Sequence, residues 1–290
     1  MPAELAARRF EALRAELPRS SPRAWRFAAL RLASRAGACM SEGTRIGHRH
    51  GFDSGPFMAH VYADRAVGRT PLGRRLDRRL LDRATCQAFR DIRGLAETAV
   101  VEAIEVAGER AIVADLAAGP SPYLLHALTR HRQATAVLCD VDGAALEQAA
   151  AAARELGVQD RVTTREASAF DRSALAALRP RPDVVCELGL YGIYHDDAVI
   201  ERHFTDLAET IAPDQIVCNV QVANPEIEYI ARVWRNAAGE RCVWRLRPAE
   251  QIIGYARAAG YEVASVTSDR HAIYRVMRFA RHVPGLQAAA

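Results

Sequence analysis

Apolar positions recur at helical spacing through the first third of the chain, then give way to short apolar runs alternating with amphipathic segments. Leu5, Phe10, Leu13 and Leu17 predict a helix over 3–17, ended by the stretch Pro18 to Pro22. Trp25, Phe27, Leu30 and Leu32 predict a second helix over 22–36. Residues 37–55 are polar, contain glycine, end in GFDSG and read as a loop. Asp53 and Ser54 there either cap the next helix or belong to an entrance to a site. Helices follow at 56–64 and 73–105, the second opening with RRLDRRLLDR, whose Asp and Arg spacing reads as a solvated charged face.

From residue 111 the period changes. Strands are predicted near 111–115, 135–140, 161–165, 182–188, 214–220, 261–267 and 271–279, with helices near 122–132, 143–156, 171–178, 196–211, 224–235 and 248–259. Alternation of this kind is the signature of a doubly wound parallel sheet. The short link at 268–270 suits an antiparallel hairpin but not a parallel crossover. The expectation is therefore an α/β fold: a seven-stranded, mostly parallel sheet over 106–290, preceded by a helical extension or lid over 1–105.

The stretch AIVADLAAGPSPYLL, 111–125, organises this pattern. Ile112 and Val113 suit a buried strand, Asp115 closes it, and Ala117, Ala118 and Gly119 leave little bulk where a ligand would approach the backbone. The next strand ends in Asp140, 25 residues further on, near the spacing at which a carboxylate meets ribose hydroxyls. Ser121 and Pro122 stand where a dinucleotide loop would have further glycines for a pyrophosphate. A nucleoside without phosphates fits better, which points to S-adenosyl-L-methionine (SAM); the alternative is an ordinary small-residue corner.

Composition narrows the chemistry. The chain has 290 residues, half of them hydrophobic, enough for one substantial domain with an appendage. All 39 basic residues are arginine, so Schiff-base, pyridoxal-phosphate and Walker-type phosphate chemistry, which need a lysine, are excluded. Residues 1–100 hold 19 Arg against 10 acids, and 101–290 hold 20 against 25. The basic first part either meets an anionic partner or forms a solvated face, and no aromatic-interleaved nucleic-acid motif accompanies it. Six cysteines without a CxxC argue against zinc and against a disulfide scaffold, so no metal is expected. No apolar run approaches 18 residues and no signal-peptide pattern is present, so the expectation is a soluble cytoplasmic protein without membrane or nucleic-acid partners.

The arrangement resembles the class I SAM-dependent methyltransferase superfamily. Within it, the chain is similar to a bacterial methyltransferase branch often associated with an α/β-hydrolase domain. The segments that carry this are GFDSG (51–55), VYADRAVGRTPLGRRLDR (61–78), VADLAAGPSPYLL (113–125), DVD (140–142), GLYGIY (189–194), NPEIEYIARVW (224–234) and WRLRPAEQI (244–252). No GxSxG hydrolase elbow occurs. The resemblance implies that Asp115, Ala118, Gly119 and Pro120 lie under the methionine part of SAM. Asp140 would hold the ribose and Val141 the adenine face. Ser168, Ala169 and Phe170 of EASAFD would meet the adenine edge, with Ser168 standing where many relatives have aspartate. Tyr123 would contact the cofactor or pack beneath it; Glu187, at the end of the fourth strand, is a further cofactor-binding candidate by its position.

Methyl transfer from a sulfonium needs orientation of the nucleophile and, for some acceptors, a base. Tyr191, Tyr194 and His195, behind the fourth strand, are the candidates, with Gln221 and Asn224 after the fifth. Tyr62 is a further catalytic candidate, and Phe52, Asp53 and Arg65 are lid candidates. The leading expectation is a small-molecule methyltransferase. A second is a cyclase that releases methylthioadenosine from SAM and forms azetidine-2-carboxylate; a third is a non-catalytic SAM-binding module. NPEIEY departs from the NPPY-type motif of base methylation, because Glu226 and Ile227 replace proline and an aromatic residue. The amino-terminal helices are candidates for a homodimer interface.

Overall fold

In the computed structural model, which describes residues 2–282, the first part of the chain is helical. It comprises α1 (Ala3–Arg14), α2 (Pro22–Gly37), α3 (Glu42–His50), α4 (Gly55–Ala63), α5 (Pro71–Leu81) and α6 (Ala84–Ala107). Ser21, Ser41, Ser54 and Thr70 precede α2 to α5, and each side chain accepts a backbone N–H from three residues on. Each hydroxyl satisfies a donor that the helix itself leaves unpaired.

Two expectations change here. The loop read at 37–55 contains α3, and the single helix read at 73–105 is two, parted at Asp82 and Arg83. Gly47, which reads as a loop residue, lies inside α3, and the absence of a side chain lets the Phe52 ring come within 2.3 Å of where a Cβ would stand. Phe52, a lid candidate, is 1% exposed and stacks on Trp234 at 4.9 Å.

Asp77 is a further correction: the residue read as part of a solvated face is fully buried. Gly73, Asp77 and Leu81 recur every four residues, so they share the inward face of α5. Asp77 Oδ1 accepts the Ser41 hydroxyl (2.8 Å) and the Gly43 N–H (2.7 Å), Oδ2 accepts the Val67 N–H (2.9 Å), and His60 Nε2 stands 3.4 Å from Oδ2. Burial alone would raise this carboxyl, but His60, the Gly43 and Val67 amides and Ser41 outweigh it and hold it down to about 2. The depressed value means that the stabilisation is complete above about pH 4 and is lost as pH falls towards 2. Asp77→Ala is expected to cost about 2 kcal/mol at neutral pH by denaturant unfolding. A loss below about 0.5 kcal/mol, the lower end for one hydrogen bond, would show that the three donors find other partners.

The rest of the chain alternates: β1 (Ile112–Asp115), α7 (Pro122–Arg130), β2 (Thr135–Asp140), α8 (Gly143–Glu155), β3 (Val162–Glu166), α9 (Arg172–Ala176), β4 (Val184–Glu187), α10 (Leu190–Ile193), α11 (Asp197–Thr210), β5 (Gln215–Gln221), α12 (Ile227–Val233), α13 (Ala249–Ala258), β6 (Tyr261–Ser268) and β7 (Tyr274–Arg281). The strands form one seven-stranded sheet in the order β3-β2-β1-β4-β5-β7-β6. β1 pairs in parallel with β2 and β4, β2 with β3, and β4 with β5, whereas β6 and β7 are antiparallel. Every residue of β4 and β5 is buried, as expected where helices cover both faces of a parallel sheet. β3 and β6, at the edges, are largely open to solvent.

By internal contacts the chain divides into two units. A helical unit takes in residues up to 92, 221–247 and 269–274; a sheet-bearing unit takes in 93–220, 248–268 and 275 onward. In the helical unit, Arg232 donates to Ala12 O (2.9 Å) and Ala15 O (2.6 Å), and Arg241 donates to Leu13 O and to Arg14 O (3.1 Å). Two guanidinium groups thus satisfy the carbonyls left over at the end of α1, where the helix dipole favours positive charge. Asn224 and Glu226 of the NPEIEY segment bind Thr85 at the start of α6, and Gln221 donates to the Tyr274 hydroxyl (3.0 Å). Among the described residues, no helix is long and apolar enough to cross a membrane.

Candidate cofactor and substrate site

β1 has β2 on one side and β4 on the other, so the strand order reverses there and a crevice opens beyond the strand ends. The chain leaves β1 at Asp115 and turns through Leu116–Ser121 into α7. The Leu116 N–H donates to Cys186 O (3.0 Å) and the Ala118 N–H to Cys139 O (3.0 Å), which ties the turn to the ends of β4 and β2. Gly119 has φ 49°, and a Cβ there would meet nothing within 4 Å. The backbone of the turn therefore faces open space, in a conformation that disfavours a side chain.

Asp140, at the end of β2, accepts the Gly119 N–H at Oδ2 (2.7 Å) and the Asp142 N–H at Oδ1 (2.9 Å). Each oxygen keeps a second lone pair for a donor from outside. Asp115 is fully buried; its Oδ2 accepts the hydroxyls of Ser121 and Tyr123, and its Oδ1 has no hydrogen-bond partner. Tyr123 is 6% exposed, beneath the turn.

A second group stands at the end of β4. Glu187, fully buried, accepts the Tyr191 hydroxyl and pairs with His203 Nε2 of α11. The Phe170 ring lies 4.9 Å from the His203 ring and 4.2 Å from that of Tyr194, centroid to centroid. The Gly189 N–H donates to Asn219 Oδ1 (2.8 Å), while Asn219 Nδ2 and His203 Nδ1 are buried without partners. Buried polar atoms without partners are uncommon in folded proteins, and beside a crevice they mark where a ligand or water belongs.

The other candidates are placed as follows. Ala118 and Ala169 are buried, and Pro120 is half-buried. Ser168 accepts the Phe170 N–H at its hydroxyl (3.2 Å), and Val141 is exposed. Tyr194 and His195 are exposed, and Asp196 caps α11. Tyr62 and Arg65 belong to the helical unit, as do Gln221 and Asn224.

The model of a family described as "Putative methyltransferase" matches residues 3–281, nearly the whole chain. The chain belongs to this family. It is also similar to the uncharacterized protein YnbC of Escherichia coli (strain K12), at 27% identity over 259 residues that make up 87% of this chain and 44% of YnbC. It thus spans less than half of that relative. Among solved structures, a "possible exported protein" from Bordetella parapertussis shares the fold with a TM-score of 0.71, at 17% identity over 96% of this chain and 94% of that one. Magnesium protoporphyrin IX methyltransferase from Synechocystis PCC 6803 follows at a TM-score of 0.55, with 13% identity over 82% of this chain and all of that one. The α/β fold with a mostly parallel sheet and one antiparallel hairpin is therefore the class I methyltransferase fold.

Sequence reasoning missed His203 in this methyltransferase-family chain. The signal was available: Ile200, His203, Phe204 and Leu207 fall on one face of α11, and a histidine in such a buried stripe requires a partner.

Asp115 carries a testable pH dependence. Burial pushes its carboxyl up to about 7; Ser121 and Tyr123 act against this, and the nearby charge of Asp140 adds to it. Between about pH 4, the ordinary carboxylate range, and pH 7 the folded chain holds a proton that the unfolded chain has released. The contribution of this group thus favours folding at the acid end and is lost as pH rises through 7. Asp115→Asn is expected to flatten that part of the stability profile, read as denaturation midpoints from pH 5 to 8. An unchanged slope in the variant would place the titration elsewhere.

Proposed function

We propose that this protein is a SAM-dependent methyltransferase acting on a small-molecule acceptor. The observation that carries the reading is the geometry of Asp140: both oxygens are held by backbone amides beside an open glycine turn, and both retain acceptor capacity. The residues fit SAM. Asp140 would take the two ribose hydroxyls, and the unpaired Oδ1 of Asp115 would take the ammonium of the methionine part. Phe170, Ala169 and Val141 would flank the adenine, and Ala118, Gly119 and Pro120 would lie along the methionine chain. The Synechocystis protein, whose fold this chain shares, was crystallised with S-adenosylhomocysteine, and its acceptor is a small molecule, which supports the choice.

When bound, SAM supplies a methyl carbon on a sulfonium leaving group. The chain's own part is orientation and proton removal. His195, exposed just past α10, is assigned the acceptor proton, and Tyr194, packed on Phe170, is assigned to position the acceptor. Glu187 holds Tyr191 and His203 in fixed orientation behind them. The deciding experiment incubates the purified chain with methyl-labelled SAM and a panel of small hydroxylated and carboxylated acceptors. S-adenosylhomocysteine together with a labelled acceptor is expected. Methylthioadenosine formed from SAM alone would replace methyl transfer by ring closure, and retention of SAM without product for any acceptor would leave a binding module.

A further inference from the structure

The helical unit carries a cavity that the SAM reading does not use. It measures about 440 Å³ and lies among the end of α2, the last turn of α3 and the turn over 236–239. Arg35, Arg49 and Arg235 line it together with His48 and Asn236. Three guanidinium groups around one hollow make a concentrated positive site for an anion, with Arg35 and Arg49 open to solvent.

The described partners leave these charges uncompensated. The guanidinium groups of Arg35 and Arg49, both on exposed residues, make no hydrogen bond or ion pair with a described residue. Arg235 is half-buried, its guanidinium donates to the carbonyl of Trp234 (2.9 Å), and burial, followed by the charges of Arg31 and Arg35, works against its own charge. The acids nearby are engaged elsewhere. Asp53 accepts backbone amides, including that of Ala237, and Glu240 accepts the Asn236 amide (3.3 Å). Burial and, after it, Arg35 push the His48 imidazole below its ordinary value, and its ring shares a hydrogen bond with the Ser34 hydroxyl (2.9 Å).

We propose that this cavity binds the phosphate group of a small phosphorylated molecule. Planar guanidinium groups match phosphate oxygens two at a time, and a phosphomonoester brings close to two negative charges to three positive ones, where a carboxylate brings one. The volume exceeds what inorganic phosphate needs and falls within the range of small-molecule pockets, about 300–1,000 Å³. A concave site lined by folded turns suits such a ligand better than an extended nucleic-acid strand, which is read on stacking aromatic platforms.

Titration of the full chain with glycerol phosphate, followed by ³¹P line broadening and thermal shift, tests this. Saturable binding is expected, with inorganic phosphate weaker and glycerol without effect. Arg35→Ala and Arg49→Ala are each expected to weaken binding at least tenfold with an unchanged circular dichroism spectrum and unchanged SAM affinity. Arg49→Gln provides a second variant should the alanine variant be poorly folded. Absence of saturable binding would overturn the proposal, and so would binding that survives the double Arg35→Ala, Arg49→Ala variant. So too would a single-stranded RNA that binds through these arginines while glycerol phosphate does not.

Discussion

Asp140→Ala is expected to weaken SAM binding about a hundredfold, close to 3 kcal/mol. The magnitude follows from the bonds removed. Hydrogen bonds to a charged group are worth about 1.5–3 kcal/mol each, and the carboxylate would accept two ribose hydroxyls. The same substitution takes away the acceptor of the Gly119 N–H, so the turn loses an anchor where, on the proposed reading, the methionine chain would pass. Asp140→Asn retains the shape and one acceptor oxygen and should fall between the two. Calorimetric titration with SAM and with S-adenosylhomocysteine would measure both variants. An alanine variant within threefold of the wild type would mean that the ribose does not reach this strand end. The unfolding midpoint serves as the control, because Asp140 is half-buried at the crevice and not a core residue.

The sheet was legible because its signals are local. All seven strands fall within three residues of the expected limits; for the central strands β1, β4 and β5, apolar runs such as VVC leave few alternatives to a buried strand. The hairpin was legible from the short link, although its turn extends to Ile273. The helical part was less so, and the reason is tertiary. In EGTRIGHRH the glycines permit close approach: a Cβ on Gly43 would stand 2.6 Å from His60, and one on Gly47 would strike Phe52. Packing overrides the propensity that makes such a stretch read as a loop. The break between α5 and α6 carries no glycine or proline, so nothing local announces it. Asp77 looked solvated because a run of arginines surrounds it, yet the face it shares with Gly73 and Leu81 decides its place. At the site, the strand end and its small-residue corner pointed to Asp115 and Gly119 and the spacing pointed to Asp140, and the structure brings Gly119 and Asp140 together through a hydrogen bond. The Glu187–His203 pair was only half found, because its members lie 16 residues apart and meet through the packing of α11.

That pair carries the other large effect. His203→Leu is expected to destabilise the sheet-bearing unit by about 3–5 kcal/mol, because it leaves Glu187 buried with the Tyr191 hydroxyl as its described partner. Removing both partners in Glu187→Leu, His203→Leu takes away the stranded charge, so most of the lost stability should return. A single variant that costs less than 1 kcal/mol, the upper end for an exposed ion pair, would mean that the pair is not desolvated in solution. A double variant as unstable as the sum of the singles would show that the two side chains do not act as a unit. The double variant also separates structure from function. If Glu187 and His203 position the residues at the acceptor, the restored protein binds SAM normally and its turnover stays depressed. If they serve only the fold, turnover returns together with stability.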